Sequence, residues 1–85
     1  MMTRLWPEGI PVEVVSGADG APQAFTWRGR RYIVASIALR WRVRADWWTD
    51  EAWREYFKLT TAEGQLCTLY RDLRSDAWFC ARLYD

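Results

Sequence analysis

The feature that most constrains this chain is a period-two alternation of residue types over 31–44. One parity is apolar throughout: Ile33, Ala35, Ile37, Leu39, Trp41 and Val43. The other parity becomes basic toward its end, at Arg40, Arg42 and Arg44. Two residues is the period of a β-strand, because successive side chains point to opposite faces. The segment therefore predicts one long strand with a buried apolar face and a second face that turns basic.

The length of this strand favours a barrel. Fourteen residues at about 3.3 Å each span roughly 45 Å, which is too long for a flat strand in a domain of this size. A strongly bent strand shared by two halves of a sheet is how small barrels close. Further strand patterns lie at 11–15, 23–27, 52–61, 65–71 and 77–84. We expect an all-β fold, a small open barrel or roll of five to six antiparallel strands.

Two connections carry local signals. Arg28-Gly29-Arg30 reads as a tight turn that joins 23–27 to the long strand in a hairpin. The segment 49–54 is ambiguous, because Thr49 or Asp50 could act as the N-cap of a helix. We expect at most one or two helical turns there before the next strand begins.

The chain of 85 residues is expected to form one domain over 1–85, with 1–10 as a less ordered N-terminal arm. Its N-terminal residues lack the apolar core of a signal peptide, and no apolar run approaches the roughly 18 residues of a membrane span. The expected location is therefore the cytoplasm, with no membrane partner.

Aromatic residues are expected to fill the interior. They make up 16% of the chain and include seven Trp, of which Trp27, Trp41 and Trp78 lie within strand patterns. A Trp side chain buries on the order of 200 Å², so a few could supply most of a small core. The expected core consists of Trp27, Ile33, Ile37, Leu39, Trp41, Phe57, Leu59, Leu69, Phe79 and Leu83.

The composition argues against catalysis. The chain contains no His, which removes the commonest general base and excludes Ser-His-Asp and Cys-His mechanisms within it. Its two cysteines, Cys67 and Cys80, cannot form a four-ligand zinc site alone. They would face each other only if the loop between their strands had two residues. We expect two buried thiols, with a redox pair as the alternative, and no enzyme, metal or cofactor.

The charge distribution points to a binding surface. Net charge is only +1, yet residues 28–44 hold six Arg and no acidic residue. Arg on alternate residues of a strand places a charge every 6–7 Å or so, and basic grooves with aromatic platforms bind single strands of nucleic acid. The candidate binding residues are Arg28, Arg30, Arg40, Arg42, Arg44, Trp47 and Trp48. The alternative is that these arginines pair with carboxylates on neighbouring strands, such as Glu13, Asp46 or Glu55.

Three stretches resemble a known bacterial domain. They are FTWRGRRYIV (25–34), WRVRADWW (41–48) and the run from Trp53 to Asp85, which ends in YRDL…WFCARLYD. Together they are similar to a small domain at the C-terminal end of ImuB-type proteins, which are inactive relatives of Y-family translesion polymerases in a DNA-damage mutasome. The resemblance covers about 23–85. It implies a non-catalytic accessory domain linked to DNA repair or damage tolerance, here in a free-standing form.

Two function hypotheses follow. The first is a non-catalytic interaction or adaptor domain that docks a protein partner. The second is a binder of single-stranded DNA or RNA that uses the Arg/Trp face. A structural role and a small-ligand pocket inside the barrel are weaker alternatives. We expect a monomer or a homodimer paired through an edge strand.

Overall fold

A computed structural model describes the backbone of residues 3–47 and 50–84 and the side chains of residues 9–44 and 53–83. The described residues form six strands and no helix: β1 (Thr3–Ser16), β2 (Pro22–Trp27), β3 (Arg30–Trp47), β4 (Asp50–Thr61), β5 (Leu66–Asp72) and β6 (Trp78–Tyr84). Each strand is antiparallel to the next, and β6 pairs with β1 to close a barrel. The predicted small antiparallel β-barrel is confirmed, and it is closed rather than open.

The turn between β2 and β3 sets which side chains of β3 point inward. Trp27 lies opposite Arg30, so two residues connect the strands. These are Arg28 (φ 53°) and Gly29 (φ 75°), and two successive positive φ angles match the twist of a two-residue hairpin. The predicted hairpin is confirmed. Because opposite residues share a face, Trp27 and Phe25 inside the barrel place Arg30 and Tyr32 on the same inner side.

The predicted helical turn near 49–54 is wrong. β4 already begins at Asp50, which pairs with Trp47, and Ala52 pairs with Ala45. The candidate N-cap Thr49 lies outside the described residues. A short isolated helical turn is marginal in water, and ladder pairing with β3 satisfies the same backbone groups.

β1 is longer than the 11–15 segment suggested. It begins at Thr3, which pairs with Tyr84, so the segment expected to be an arm contributes backbone to the barrel from that residue. The β1–β6 register is interrupted between Leu5 and Ile10, around Gly9 (φ 77°). Among the described residues, no helix has the length and apolarity needed to cross a membrane.

The predicted inner face of β3 is wrong. Two bulges, between Val34 and Ser36 and between Ile37 and Leu39, each shift the pairing with β4. Tyr32 is already buried before the bulges, because the β2–β3 turn places it opposite Phe25. The first bulge brings Ile37 against the core opposite Leu59, as expected, and the second places Arg40 opposite the buried Phe57. The arginines from Arg40 onward share the inner side of the sheet.

The core forms around β4, β5 and β6. Its fully buried residues include Phe57, Leu59, Leu69, Cys67 and Cys80. Of the expected core, Trp27, Phe57, Leu59, Leu69 and Leu83 are buried, and Ile37 packs against them. Ile33, Leu39 and Trp41 are instead exposed, and Phe79 lies half-buried in the row of outward-facing rings. Trp78 packs against the core as predicted.

Cys67 and Cys80 are free thiols, both buried. They do not face each other, since Cys67 lies opposite Leu83 and Cys80 lies opposite Leu69. The β5–β6 loop is longer than two residues, and a register shift follows Thr68. Burial raises the pKa of Cys67 to about 12 and that of Cys80 to about 11, so both stay protonated at neutral pH.

Candidate functional site

Glu55 is the most unusual inward-facing residue. It lies two residues before the core residue Phe57 on the inner face of β4, nearer to β4's first residue, and is only 2% exposed. Arg42 on β3 and Arg71 on β5 lie directly opposite it on its two sides. A carboxylate is buried at this depth only when it is paired. The register supplies those partners.

Three guanidinium groups surround the Glu55 carboxylate. Arg40 donates from Nε at 3.1 Å and from its terminal nitrogen at 3.3 Å, and Arg42 donates from Nε at 3.2 Å. A terminal nitrogen of Arg71 lies 3.8 Å from Oε1, the oxygen that also accepts from the terminal nitrogen of Arg40. We refer to Arg40, Arg42, Glu55 and Arg71 as the Glu55 cluster.

Aromatic rings support the arginines of this cluster. The Arg40 guanidinium lies 5.0 Å from the Phe57 ring centre and that of Arg71 lies 5.9 Å from Trp78. These two rings contact each other at 5.3 Å. Such cation–π contacts hold the guanidiniums in place at the end of the apolar core.

The electrostatics of the cluster favour an ionised Glu55. Burial raises the pKa of its carboxyl, but hydrogen bonds from Arg40 and Arg42 outweigh burial, so the pKa lies below its usual range. With three guanidiniums and one carboxylate, the cluster keeps an excess of positive charge. Nε of Arg71 is buried and makes no hydrogen bond within the described part of the chain.

The predicted binding residues do not form one surface. Arg28 lies in the β2–β3 turn and Arg30 begins β3, at the opposite end of the strand from Arg40 and Arg42. Arg28 lies over the Trp27 ring at 4.7 Å, and Arg30 forms an ion pair with Glu63. The prediction of a continuous outward guanidinium row is wrong, because Arg40 and Arg42 turn to the inner side and bind Glu55. Pairing with Glu55 was the alternative that the sequence left open.

Of the remaining predicted residues, only Arg44 has a described side chain. Arg44 lies opposite Trp53, and its guanidinium is 5.3 Å from that ring. Trp47 is the last residue of β3, but its side chain lies outside the described residues, as does Trp48 entirely.

The outer side of β3 carries exposed apolar residues. Leu39, Trp41 and Val43 are 56%, 39% and 37% exposed. We call these three residues the apolar strip. Trp41 begins a row of rings across four strands, with neighbouring centres 5.0–5.3 Å apart: Trp41, Tyr56, Tyr70 and Phe79. The row holds the Trp41 ring flat against Tyr56, so an exposed apolar surface is presented in a fixed orientation.

The hairpin that bears these residues extends beyond the barrel. In the described chain β5 pairs with β4 only from Arg54 onward, and residues 50–52 pair only with β3, while the carbonyl of Trp53 accepts a hydrogen bond from the N–H of Leu73 at 2.9 Å. Trp53, on this extension, is 38% exposed. The hairpin therefore presents arginines on one side and the apolar strip on the other.

Two grooves of the described part of the chain lie on the barrel surface between β1 and β2, lined by residues such as Glu13, Val14 and Thr26. The described inner side chains of β4 and β5, such as Phe57, Leu59 and Leu69, are fully buried. Within the described residues there is no group of three or more acidic or Cys side chains able to hold a metal ion.

A family described as a domain of unknown function (DUF6504) matches residues 1–85. The chain belongs to this DUF6504 family. No curated protein and no solved structure matches it.

Sequence reasoning missed two members of the site in this DUF6504 domain. Neither Arg71 nor Trp53 is among the candidate binding residues that the sequence indicates. The signal for Arg71 was its position two residues from Leu69 on the same parity, which places it on the inner side next to the last core residue. The signal for Trp53 was its position two residues before Glu55, which places it on the same face of β4 as Glu55.

Proposed function

We propose that this chain is a non-catalytic docking domain that binds a protein partner through the projecting part of β3. The apolar strip carries the proposal, because three large apolar side chains at alternate positions of one strand remain exposed together. Trp and Arg together are enriched among residues that dominate protein interfaces. Trp41 lies at the centre of the strip, and Arg42 follows it on the opposite face of the same strand.

The cellular context that we propose is DNA repair or damage tolerance. It rests on the resemblance of 23–85 to the C-terminal domain of ImuB-type proteins. In that context the chain would act as an adaptor that joins components of a mutasome-like complex.

The test is titration calorimetry of the purified chain with the ImuB-type protein encoded in the same genome. Leu39→Ser/Val43→Ser removes most of the apolar strip. Ile33→Ser/Val15→Ser is the matched control, since Val15 and Ile33 are about as exposed and lie elsewhere on the barrel. We expect the strip variant to bind roughly tenfold more weakly and the control to bind as the wild type does.

Two results would contradict the proposal. Absence of binding by the wild-type chain would refute the repair context. Equal weakening by the two variants would refute the assignment of the interface to the strip.

A second candidate function is binding of single-stranded nucleic acid. The observation that favours it is the positive excess of the Glu55 cluster, in which Arg42 uses Nε for Glu55 while its side chain is 63% exposed. The terminal amino groups of Arg42 could therefore reach a phosphate without breaking the ion pair.

This candidate is tested with labelled single-stranded DNA at two salt concentrations. Arg42→Gln/Arg44→Gln is preferable to a change at Arg40, because Arg40 makes two of the hydrogen bonds to Glu55. Arg28→Gln/Arg31→Gln removes the same charge from the other end of β3. A binder of this kind would lose affinity as salt rises, with a slope of roughly 0.7 per phosphate contact. No binding at low salt would eliminate it.

A further inference from the structure

Beyond Ile33, the edge of β3 that points away from β4 has no paired strand within the described residues. β2 pairs with β3 only over Arg30–Ile33, and over 36–43 β4 is the one strand beside it within the described residues. Every residue from Ala38 to Arg44 is exposed. In an antiparallel pair, alternate residues direct their N–H and C=O away from the partner strand. Residues 38–43 therefore present backbone donors and acceptors along about 20 Å.

One loop limits this edge at its inner end. The β1–β2 loop reaches Arg40, whose terminal nitrogen donates to the carbonyl of Asp19 at 2.9 Å. Gly20 lies close to the same guanidinium. The loop therefore lies against the Arg40 side chain near the inner end of the 38–43 segment.

The side chains along the edge alternate in chemistry. Arg40, Arg42 and Arg44 lie on one side, and the apolar strip of Leu39, Trp41 and Val43 lies on the other. A strand added beside β3 would continue both faces of the sheet. Opposite charges in directly opposed positions stabilise strand pairing, and like charges destabilise it.

This alternation disfavours pairing of two copies of the chain through β3. With the faces of the two sheets aligned, each arginine of one edge would lie opposite an arginine of the other. Charged residues on an edge strand are a recognised device against self-association. An acidic strand would turn the same charges into attraction.

We propose that β3 binds a partner segment by strand addition, and that this segment alternates acidic and apolar residues. The inference rests on the proposed docking function and specifies the partner. Acidic side chains would face Arg42 and its neighbouring arginines, and apolar side chains would cover the strip around Trp41. Backbone hydrogen bonds to residues 38–43 would supply the affinity common to any extended segment.

The probes are three synthetic peptides of eight residues. The first alternates Glu and Val, the second has the same composition with the four Glu together, and the third alternates Lys and Val. Binding is measured by titration calorimetry, and the location by amide chemical shifts and hydrogen exchange of the ¹⁵N-labelled chain.

We expect the Glu/Val peptide to slow exchange of amides within 38–43 and to bind about tenfold more tightly than the block peptide. The Lys/Val peptide should not bind measurably. Arg42→Gln should weaken binding of the Glu/Val peptide several-fold, and the matched change Arg28→Gln should leave it unchanged. The free chain should sediment as a monomer.

Several results would overturn the inference. Equal binding of the alternating and block peptides would indicate charge attraction without strand pairing. Absence of peptide binding would show that the arginines only protect the edge. Protection of amides elsewhere, or a dimer formed through β3, would also refute it.

These outcomes separate this inference from the proposed function. If the strip variant loses its protein partner but the peptides do not protect 38–43, docking stands and strand addition is wrong. If the peptides bind at the edge but the ImuB-type protein does not, strand addition stands and the repair context is wrong.

Discussion

Replacement of Glu55 by Gln tests whether one buried carboxylate holds the end of the barrel together. Glu55→Gln keeps the size of the side chain but removes the charge that Arg40, Arg42 and Arg71 share. Removing one partner of a buried ion pair costs about 3–5 kcal/mol. Here the side chains of Arg40, Arg42 and Arg71 are 37%, 63% and 25% exposed, so water can partly hydrate their guanidinium groups once the carboxylate is removed. We therefore expect a loss of about 2–3 kcal/mol in the free energy of unfolding.

The predicted loss should be visible in thermal unfolding. For a domain of this length each kcal/mol shifts Tm by about 4–8 °C, so Glu55→Gln should lower Tm by about 10–20 °C at pH 7. The control is Glu63→Gln, which removes the ion pair between Glu63 and Arg30. The Glu63 side chain is 53% exposed and that of Arg30 is 55% exposed. An exposed pair of this kind contributes less than about 1 kcal/mol.

The effect of Glu55→Gln should depend on pH with a definite sign. The pKa of Glu55 is depressed in the folded state, so its contribution is present above the unfolded value of about 4.3 and is lost as pH falls through the folded pKa. The difference in stability between wild type and variant should therefore be full at pH 7 and shrink below about pH 4. A variant as stable as wild type at pH 7, or a difference that persists unchanged at pH 3, would refute this account of the cluster.

Two further predictions concern the core and the bulge in β1. Gly9→Ala should lower stability in urea denaturation by about 2–4 kcal/mol, because an added Cβ at φ 77° would lie 2.8 Å from Phe79 and Tyr70. Gly64→Ala, at φ 89° with nothing within 4 Å of the added atom, should lower it by only about 1 kcal/mol, and equal losses would contradict the steric part of the argument. Cys67 and Cys80 should resist iodoacetamide at pH 8 in the native state and react in urea, since the thiolate is the nucleophile; native alkylation at the rate of a small thiol would contradict their burial.

The fold class followed from period-two alternation over 31–44 and from the turn signals that separate the other strand patterns. The faces of β3 did not follow, although a contradiction was visible in the sequence. A tight turn at Arg28 and Gly29 places Trp27 opposite Arg30, so a buried Trp27 requires Tyr32 inside and Ile33 outside. The uninterrupted apolar parity of β3 favoured the opposite assignment. Hairpin register is the stronger constraint, because the turn fixes it directly.

The candidate site was partly predictable for the same reason. The arginines and the acidic partner Glu55 could be named from the sequence, but their meeting depends on which faces β3 and β4 share. Bulges cannot be located from alternation alone, since each adds one residue without a change in composition. The exposure of Leu39, Trp41 and Val43 was missed because an apolar row in a strand is usually a core row.

The two bulges of β3 explain how one strand serves both the core and the candidate interface. Without them, the inner parity after Val34 would present Ser36 and Ala38, which are too small to pack against Leu59. Two bulges bring Ile37 inward instead and return Arg40 to the parity of Tyr32. The arginines then converge on Glu55 at the end of the core, while the apolar residues between them are left outside. Because the second bulge cancels the shift of the first, the apolar strip keeps the outward side that the β2–β3 turn gives to Ile33, and it lies exposed on an open edge.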